Sequence, residues 1–131
     1  MSLPILAAAL LPVAYDVDLA IEAPGADPIE LHLVEVSEGP LPAVYLPTED
    51  GGWIVDIELH LIDGDTARFD IEVVRQELGR FGRLSSELVS RPKVTTRIGE
   101  PALIRQSARI PLPDGGFEDV DVLGVEATLH N

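Results

Sequence analysis

Three histidines, His32, His60 and His130, are the residues here whose type could bind a transition metal or move a proton near neutral pH. Each follows a leucine in an alternating stretch, and each falls on the polar side of that stretch. Strands packed side by side could bring the three imidazoles to one zinc-like ion. Their spacing carries neither a His-x-His nor a His-Glu-x-x-His pattern, so solvated strand histidines are the plainer expectation. No metal site is assigned to them.

The acidic turns invite a calcium reading. Asp63-Gly64-Asp65, Glu49-Asp50 and Glu118-Asp119 with Asp121 all present hard oxygen ligands. None follows the D-x-[DN]-x-[DN]-G loop with its distant glutamate, and hairpin turns favour Asp and Gly for backbone reasons alone. Paired carboxylates could cleave a glycosidic bond. With 23 acidic residues chance pairs are expected, and 3 Phe, 2 Tyr and 1 Trp leave little to line a sugar cleft. Ser85, Ser86, Ser90 and Ser107 stand in no Gly-x-Ser-x-Gly context, with no histidine near them in sequence. No glycine-rich loop precedes a helix to cradle phosphate. The expectation is therefore a protein that is no enzyme, with no catalytic, metal or cofactor-binding residues and no cofactor.

Charge narrows the partners. The formal charge is −14, from 23 acidic against 9 basic residues. A field of that sign repels phosphate backbones and anionic lipid, so nucleic acid is not an expected partner. A basic partner or a divalent cation fits better, and the plainest role of the acidity is to keep a β-rich protein soluble. The basic residues are unevenly placed: Arg75, Arg80, Arg83, Arg91, Lys93 and Arg97 are six of the nine. Such a dipolar surface suits protein contact, including self-association in which this stretch meets an acidic face of a neighbour. These six are the candidate interaction residues; ordinary surface ion pairing is the alternative.

The elements that must position these groups read as strands. In Tyr15 to Glu22, Tyr15, Val17, Leu19 and Ile21 alternate with Asp16, Asp18 and Glu22, the pattern of a half-buried strand. Ala23 to Pro28 breaks it, and Ile29, Leu31 and Leu33 return as the second arm of a hairpin. Glu38 to Pro47, with three prolines, reads as irregular or edge structure. Trp53 to Ile62 and Ala67 to Val74 form the clearest hairpin, closed by Asp63-Gly64-Asp65. Trp53, Val55, Ile57, Leu59, Leu61, Phe69, Ile71 and Val73 face inward. Leu78, Phe81 and Leu88 at loosely helical spacing predict a short helical turn or an ordered loop over 75–88, weakened by Gly79 and Gly82. Strands resume at Leu88 to Ile98, Ala102 to Ile110 and Val120 to Leu129, with turns at Gly99-Glu100-Pro101 and Pro113 to Gly116.

The whole predicts an all-β fold, an antiparallel β-sandwich or curled sheet of about seven or eight strands, with at most one short helix near 75–88. Hydrophobic residues make up 46% of the chain, which excludes disorder, and the scarcity of aromatics makes the core aliphatic. The absence of cysteine excludes disulfides and thiolate chemistry. Residues 15–131 read as one β domain. Leu3 to Ala14 is an uncharged apolar run of signal-peptide length, too short to span a bilayer and without a basic region before it. It reads as a signal remnant, a lead-in to the first strand or a short helix. The charged alternate faces argue against a membrane barrel, so no membrane insertion is expected.

Leu88 to Ile104 (LVSRPKVTTRIGEPALI) and Val122 to Leu129 (VLGVEATL) resemble the core of bacterial secretins, the outer-membrane channel proteins of type II and type III secretion and type IV pili. Ser90, Arg91, Pro92, Val94, Thr95 and Thr96 match a core strand of that family. Gly99, Glu100, Pro101 and Ala102 match its turn, Ile104 opens the next strand, and Gly124, Val125 and Leu129 resemble a later one. The likeness covers about a third of the chain, without ring-forming N-domains, gate segment or lipid-facing hairpins, and Arg105-Gln106-Ser107 stands where the family keeps a glycine. It implies a shared hairpin of the strands flanking Gly99 to Pro101, in a periplasmic or cell-envelope protein (otherwise a cytoplasmic one) with no catalytic residues. The function it implies is a non-catalytic domain acting through protein–protein contact or self-association. The alternative is a ligand- or calcium-binding β-sandwich module.

Overall fold

The computed structural model describes residues 14–131, the side chains at 108–111 and 119–122 excepted. Of the apolar Leu3 to Ala14 run, all but Ala14 lies outside them.

Ten strands are present among the described residues. They are β1 (Tyr15–Glu22), β2 (Ile29–Val36), β3 (Gly39–Pro40), β4 (Val44–Thr48), β5 (Gly51–Leu61), β6 (Thr66–Leu78), β7 (Leu84–Ser90), β8 (Lys93–Arg97), β9 (Pro101–Pro111) and β10 (Phe117–His130). They form two antiparallel sheets that do not close into a barrel. Sheet A has the order β2-β1-β10-β9; in sheet B the β5–β6 hairpin is central, with β3 and β4 on β5 and β7 and β8 on β6.

The all-β sandwich follows from period-two alternation. Each inward-facing row buries aliphatic side chains while the alternate row stays wet. Val17, Leu19 and Ile21 of β1 and Leu123, Val125, Ala127 and Leu129 of β10 supply the sheet A side of the core. Trp53, Val55, Ile57 and Leu59 of β5, with Ala67, Phe69, Ile71 and Val73 of β6, supply the other. Full burial of each large apolar side chain favours the folded state by roughly 1.5–3 kcal/mol. Trp53 also ties the sheets together, its Nε1 donating to the Pro24 carbonyl in the β1–β2 turn at 3.0 Å.

Two expectations change. The count rises above seven or eight because proline divides the edges of sheet B. Pro40 and Pro47 sit in two short edge strands, and Pro92 separates β7 from β8. Over 75–88 the chain is mostly strand. β6 runs on to Leu78, a single 3-10 turn occupies Arg80–Gly82, and β7 returns. Gly79 and Gly82, read as weakening a helix, instead flank the tip of a hairpin.

The secretin-like hairpin is not formed. β8 pairs with β6 in sheet B, whereas β9 pairs with β10 in sheet A. Consecutive amides make the switch: Ile98 donates to Asp65 O at 2.8 Å and Gly99 donates to Leu129 O at 2.7 Å. Gly99, at φ 90, makes the turn that only glycine adopts freely. The eleven register pairs that β10 offers to β9 outcompete a short arm such as β8.

Candidate functional site

Sheet register brings two of the three histidines together. Asp18 lies at the middle of β1, opposite His32 of β2 and diagonal to His130 of β10. Its carboxylate bonds His32 Nδ1 through Oδ1 and His130 Nε2 through Oδ2, the latter at 2.8 Å. Asp16 stands 3.9 Å from His32 Nε2. The hydrogen bond from His32, then that from His130, hold the Asp18 carboxyl below its ordinary value; the same bond raises His32. Asp18 and His32 floor an open depression of about 530 Å³, shared with Glu30, Glu126 and Thr128. His60 is elsewhere, on the outer face of sheet B, 3.1 Å from Asp70 and 3.5 Å from Glu58. The three imidazoles therefore do not converge. Among the described residues no group of three or more His, Asp or Glu side chains is arranged to hold a metal ion.

The described acidic turns use their carboxylates on themselves. Asp63 Oδ1 accepts the Asp65 amide at 3.0 Å, and that bond comes first among the causes that lower the Asp63 carboxyl. Asp50 accepts the Thr48 hydroxyl at 3.3 Å. The side chains of Asp119 and Asp121 lie outside the described residues.

The six candidate basic residues separate. Arg75 lies over the Trp53 ring, 5.1 Å from its centroid, and pairs with Glu77 at 2.9 Å. Arg91 stands 3.5 Å from Glu72. Lys93 and Arg97 sit on β8, opposite Asp70 and Thr66. Arg80 and Arg83 alone occupy the tip of the β6–β7 hairpin, where they make no ion pair among the described residues. Arg91, Lys93 and Arg97 thus belong to a mixed ionic surface along the outer face of sheet B, over a depression of about 460 Å³ bordered by Asp56, Glu58, Asp70, Glu72, Arg91 and Lys93.

Beyond Val74 that outer face changes character. Tyr45, Ile54, Val74 and Leu88 form one row across β4, β5, β6 and β7, and Pro47, Gly52, Gln76 and Ser86 form the next. Leu78 and Leu84 pair at the end. None of these ten side chains is charged, and Tyr45, Leu78, Leu84 and Leu88 are exposed. Tyr45 lies flat across Gly52, its hydroxyl donating to Gly51 O at 3.0 Å. At the tip, Phe81 is 99% exposed and holds φ 69, a conformation that costs a non-glycine residue about 1 kcal/mol or more.

This surface escaped the sequence reading, although its signal is there. The outward positions of β6 run Arg68, Asp70, Glu72, then Val74, Gln76, Leu78, so the switch from charged to uncharged lies within one strand. Ending that strand at Val74 hid it. Compared with protein-family models, with curated proteins and with solved structures, the chain finds no match.

Proposed function

We propose that this chain is a non-catalytic protein-contact domain whose contact surface is the hairpin end of sheet B, made by β6, the Arg80–Gly82 turn and β7. One observation carries this: an uncharged, largely exposed outer face spanning four strands and ending in a fully exposed Phe81. Apolar area left in water forgoes roughly 25 cal/mol per Å², and contiguous exposed patches of this kind mark contact sites in soluble proteins. The core is complete without these side chains, so folding does not require them. Arg80 and Arg83 add positive charge at the tip of an otherwise acidic molecule, which favours approach to an acidic surface. The envelope setting and the secretin likeness belong to the same proposal; they rest on the residue match from Ser90 to Thr96 and from Gly124 to Leu129, because the strands flanking Gly99 to Pro101 pair in different sheets.

The test is site-specific photo-crosslinking in cells producing the full chain. A photoreactive side chain at Phe81 or Leu84 should give discrete adducts; one at Glu30, on the outer face of sheet A, should give none. Equal labelling from both faces, or no adduct at the hairpin, rejects the contact surface.

A further inference from the structure

The sheet edges differ in how they are protected against pairing with another chain. An open strand edge presents a row of backbone donors and acceptors, which proteins blunt with proline, charge, short strands or irregular backbone. In sheet A, β2 carries Glu30, His32 and Glu35, the last at φ 55, and β9 begins at Pro101 and carries Arg105. In sheet B, β3 and β4 are two and five residues long and contain Pro40 and Pro47. β8 is five residues long and bears Lys93 and Arg97. β7 is the exception. Its seven residues, Leu84 to Ser90, include no proline, lysine or arginine and one charge, Glu87. Its inner side pairs with β6; among the described residues nothing pairs with its outer side.

Resting on the contact surface proposed above, we propose that its partner is a second copy of this chain, bound at the β7 edge of that surface through antiparallel pairing of β7 with β7 about a twofold axis at Ser86. The register is chosen by self-complementarity. With Ser86 opposite Ser86 of the second copy, Leu84 lies opposite Leu88 of the second copy and Leu88 opposite its Leu84. The row Tyr45, Ile54, Val74, Leu88 then continues directly into Leu84 and Leu78 of the second copy, and the reverse row does the same. Two patches that each end at an edge become one surface crossing both molecules. On the opposite face of the strand, Arg83 and Glu87 lie on one side of β7, four residues apart. The twofold sets each Arg83 diagonal to Glu87 of the second copy, so that two opposite-charge contacts form at once. Centring the axis on Glu87 instead would set that carboxylate against its own copy, which like-charge repulsion opposes. The pairing is isologous, as twofold dimers require.

The chain contains no cysteine, so a single introduced thiol reports the register. Directly opposed residues in antiparallel strands have Cα atoms about 4.5–5.5 Å apart, within the span of a disulfide. Mild oxidation of Ser86→Cys should therefore give a covalent dimer rapidly. Ser85→Cys, on the opposite face and offset along the strand, should give it far more slowly. Light scattering on the unmodified chain should show a species of twice 14.1 kDa. Arg83→Glu and Glu87→Arg should each weaken dimerisation about tenfold or more by turning both ionic contacts repulsive. A mixture of the two variants should restore it, since both contacts are again complementary in the heterodimer.

A monomer in light scattering, a dimer indifferent to Arg83→Glu, or equal oxidation of the two cysteine variants overturns the β7 pairing. The crosslinking at Phe81 and Leu84 separates that failure from the wider one. An adduct of mass other than the dimer leaves the contact surface standing with a different occupant. No adduct at all removes both.

Discussion

Adjacent glycines at the start of β5 should respond to the same substitution very unequally. Gly51 holds φ 153, and a Cβ built there falls 2.0 Å from the Gln76 carbonyl oxygen on β6. Ordinary contact begins at 3.4 Å, so two paired backbones must separate by 3.4 − 2.0 = 1.4 Å. That displacement disrupts about two ladder hydrogen bonds at roughly 1 kcal/mol each, and the unfavourable φ adds about 1 kcal/mol or more. The gain from a stiffer unfolded chain offsets only about 0.4–1 kcal/mol. Gly51→Ala should therefore cost about 2–4 kcal/mol. At Gly52 the added Cβ meets the Tyr45 ring at 2.7 Å, and that ring can swing into water. Gly52→Ala should lose the Tyr45 hydroxyl bond to Gly51 and the ring's cover, and recover most of it in unfolded-state entropy. A net effect within about 1 kcal/mol follows. Urea unfolding followed by the fluorescence of Trp53, the one tryptophan in the chain, reads both. In a Tyr45→Ala background Gly52→Ala should become neutral or stabilising. If Gly52→Ala proves the more damaging, or if Tyr45→Ala fails to relieve it, the assigned faces of β5 are wrong.

Phe69 is fully buried between the sheets, so Phe69→Ala should lower stability by about 3–5 kcal/mol. Leu84→Asp, at an exposed position, should change it by no more than about 0.5 kcal/mol in the monomer. A large loss at Leu84 would make that residue part of the core. The Asp18 cluster gives a pH signature. His32, ordinarily near 6.5, is raised by its bond to Asp18, so the stability it contributes is full below pH 6.5 and is lost as pH rises through the raised value. Asp18, ordinarily near 3.8, is lowered, so its contribution is full above 3.8 and is lost as pH falls through the lowered value. NMR titration should show His32 above 6.5, and Asp18→Asn should bring it down. A midpoint at or below 6.5 in the unmodified chain would contradict the pair.

The legible part of the fold was the part decided by alternation. Tyr15 to Glu22 and the Trp53 to Val74 hairpin display burial face, direction and partner in four or more consecutive inward residues, and the sheets use them so. The 88–104 stretch shows the limit. Its turn chemistry at Gly99 to Pro101 is real, yet a turn residue states that the chain bends, not which sheet it bends toward. That choice belongs to Asp65 and Leu129, each more than 29 residues away in sequence, whose carbonyls take the Ile98 and Gly99 amides. The His32–Asp18–His130 cluster was half visible: each histidine falls on a polar face, but Asp18 becomes their common partner only through β1 lying between β2 and β10. The uncharged outer face lies where two patterns overlap. Leu78, Phe81 and Leu88 also fit a loosely helical spacing, whereas the period-two row of β6 continues outward through Val74, Gln76 and Leu78.

Placing β1 between β2 and β10 also dictates an order of events during synthesis. Asp16 meets His130, 130 − 16 = 114 residues later, whereas every pairing of sheet B lies within residues 39–97. A nascent chain can thus complete sheet B while sheet A is still a lone two-stranded ribbon, the β1 edge that β10 will take unpaired. Such a half-built molecule holds Trp53 and Phe69 on an open face, the kind of species that aggregates or recruits chaperones. Premature termination anywhere before Phe117 leaves it permanently in that condition. The final fourteen-residue strand is what converts two marginal sheets into one protein.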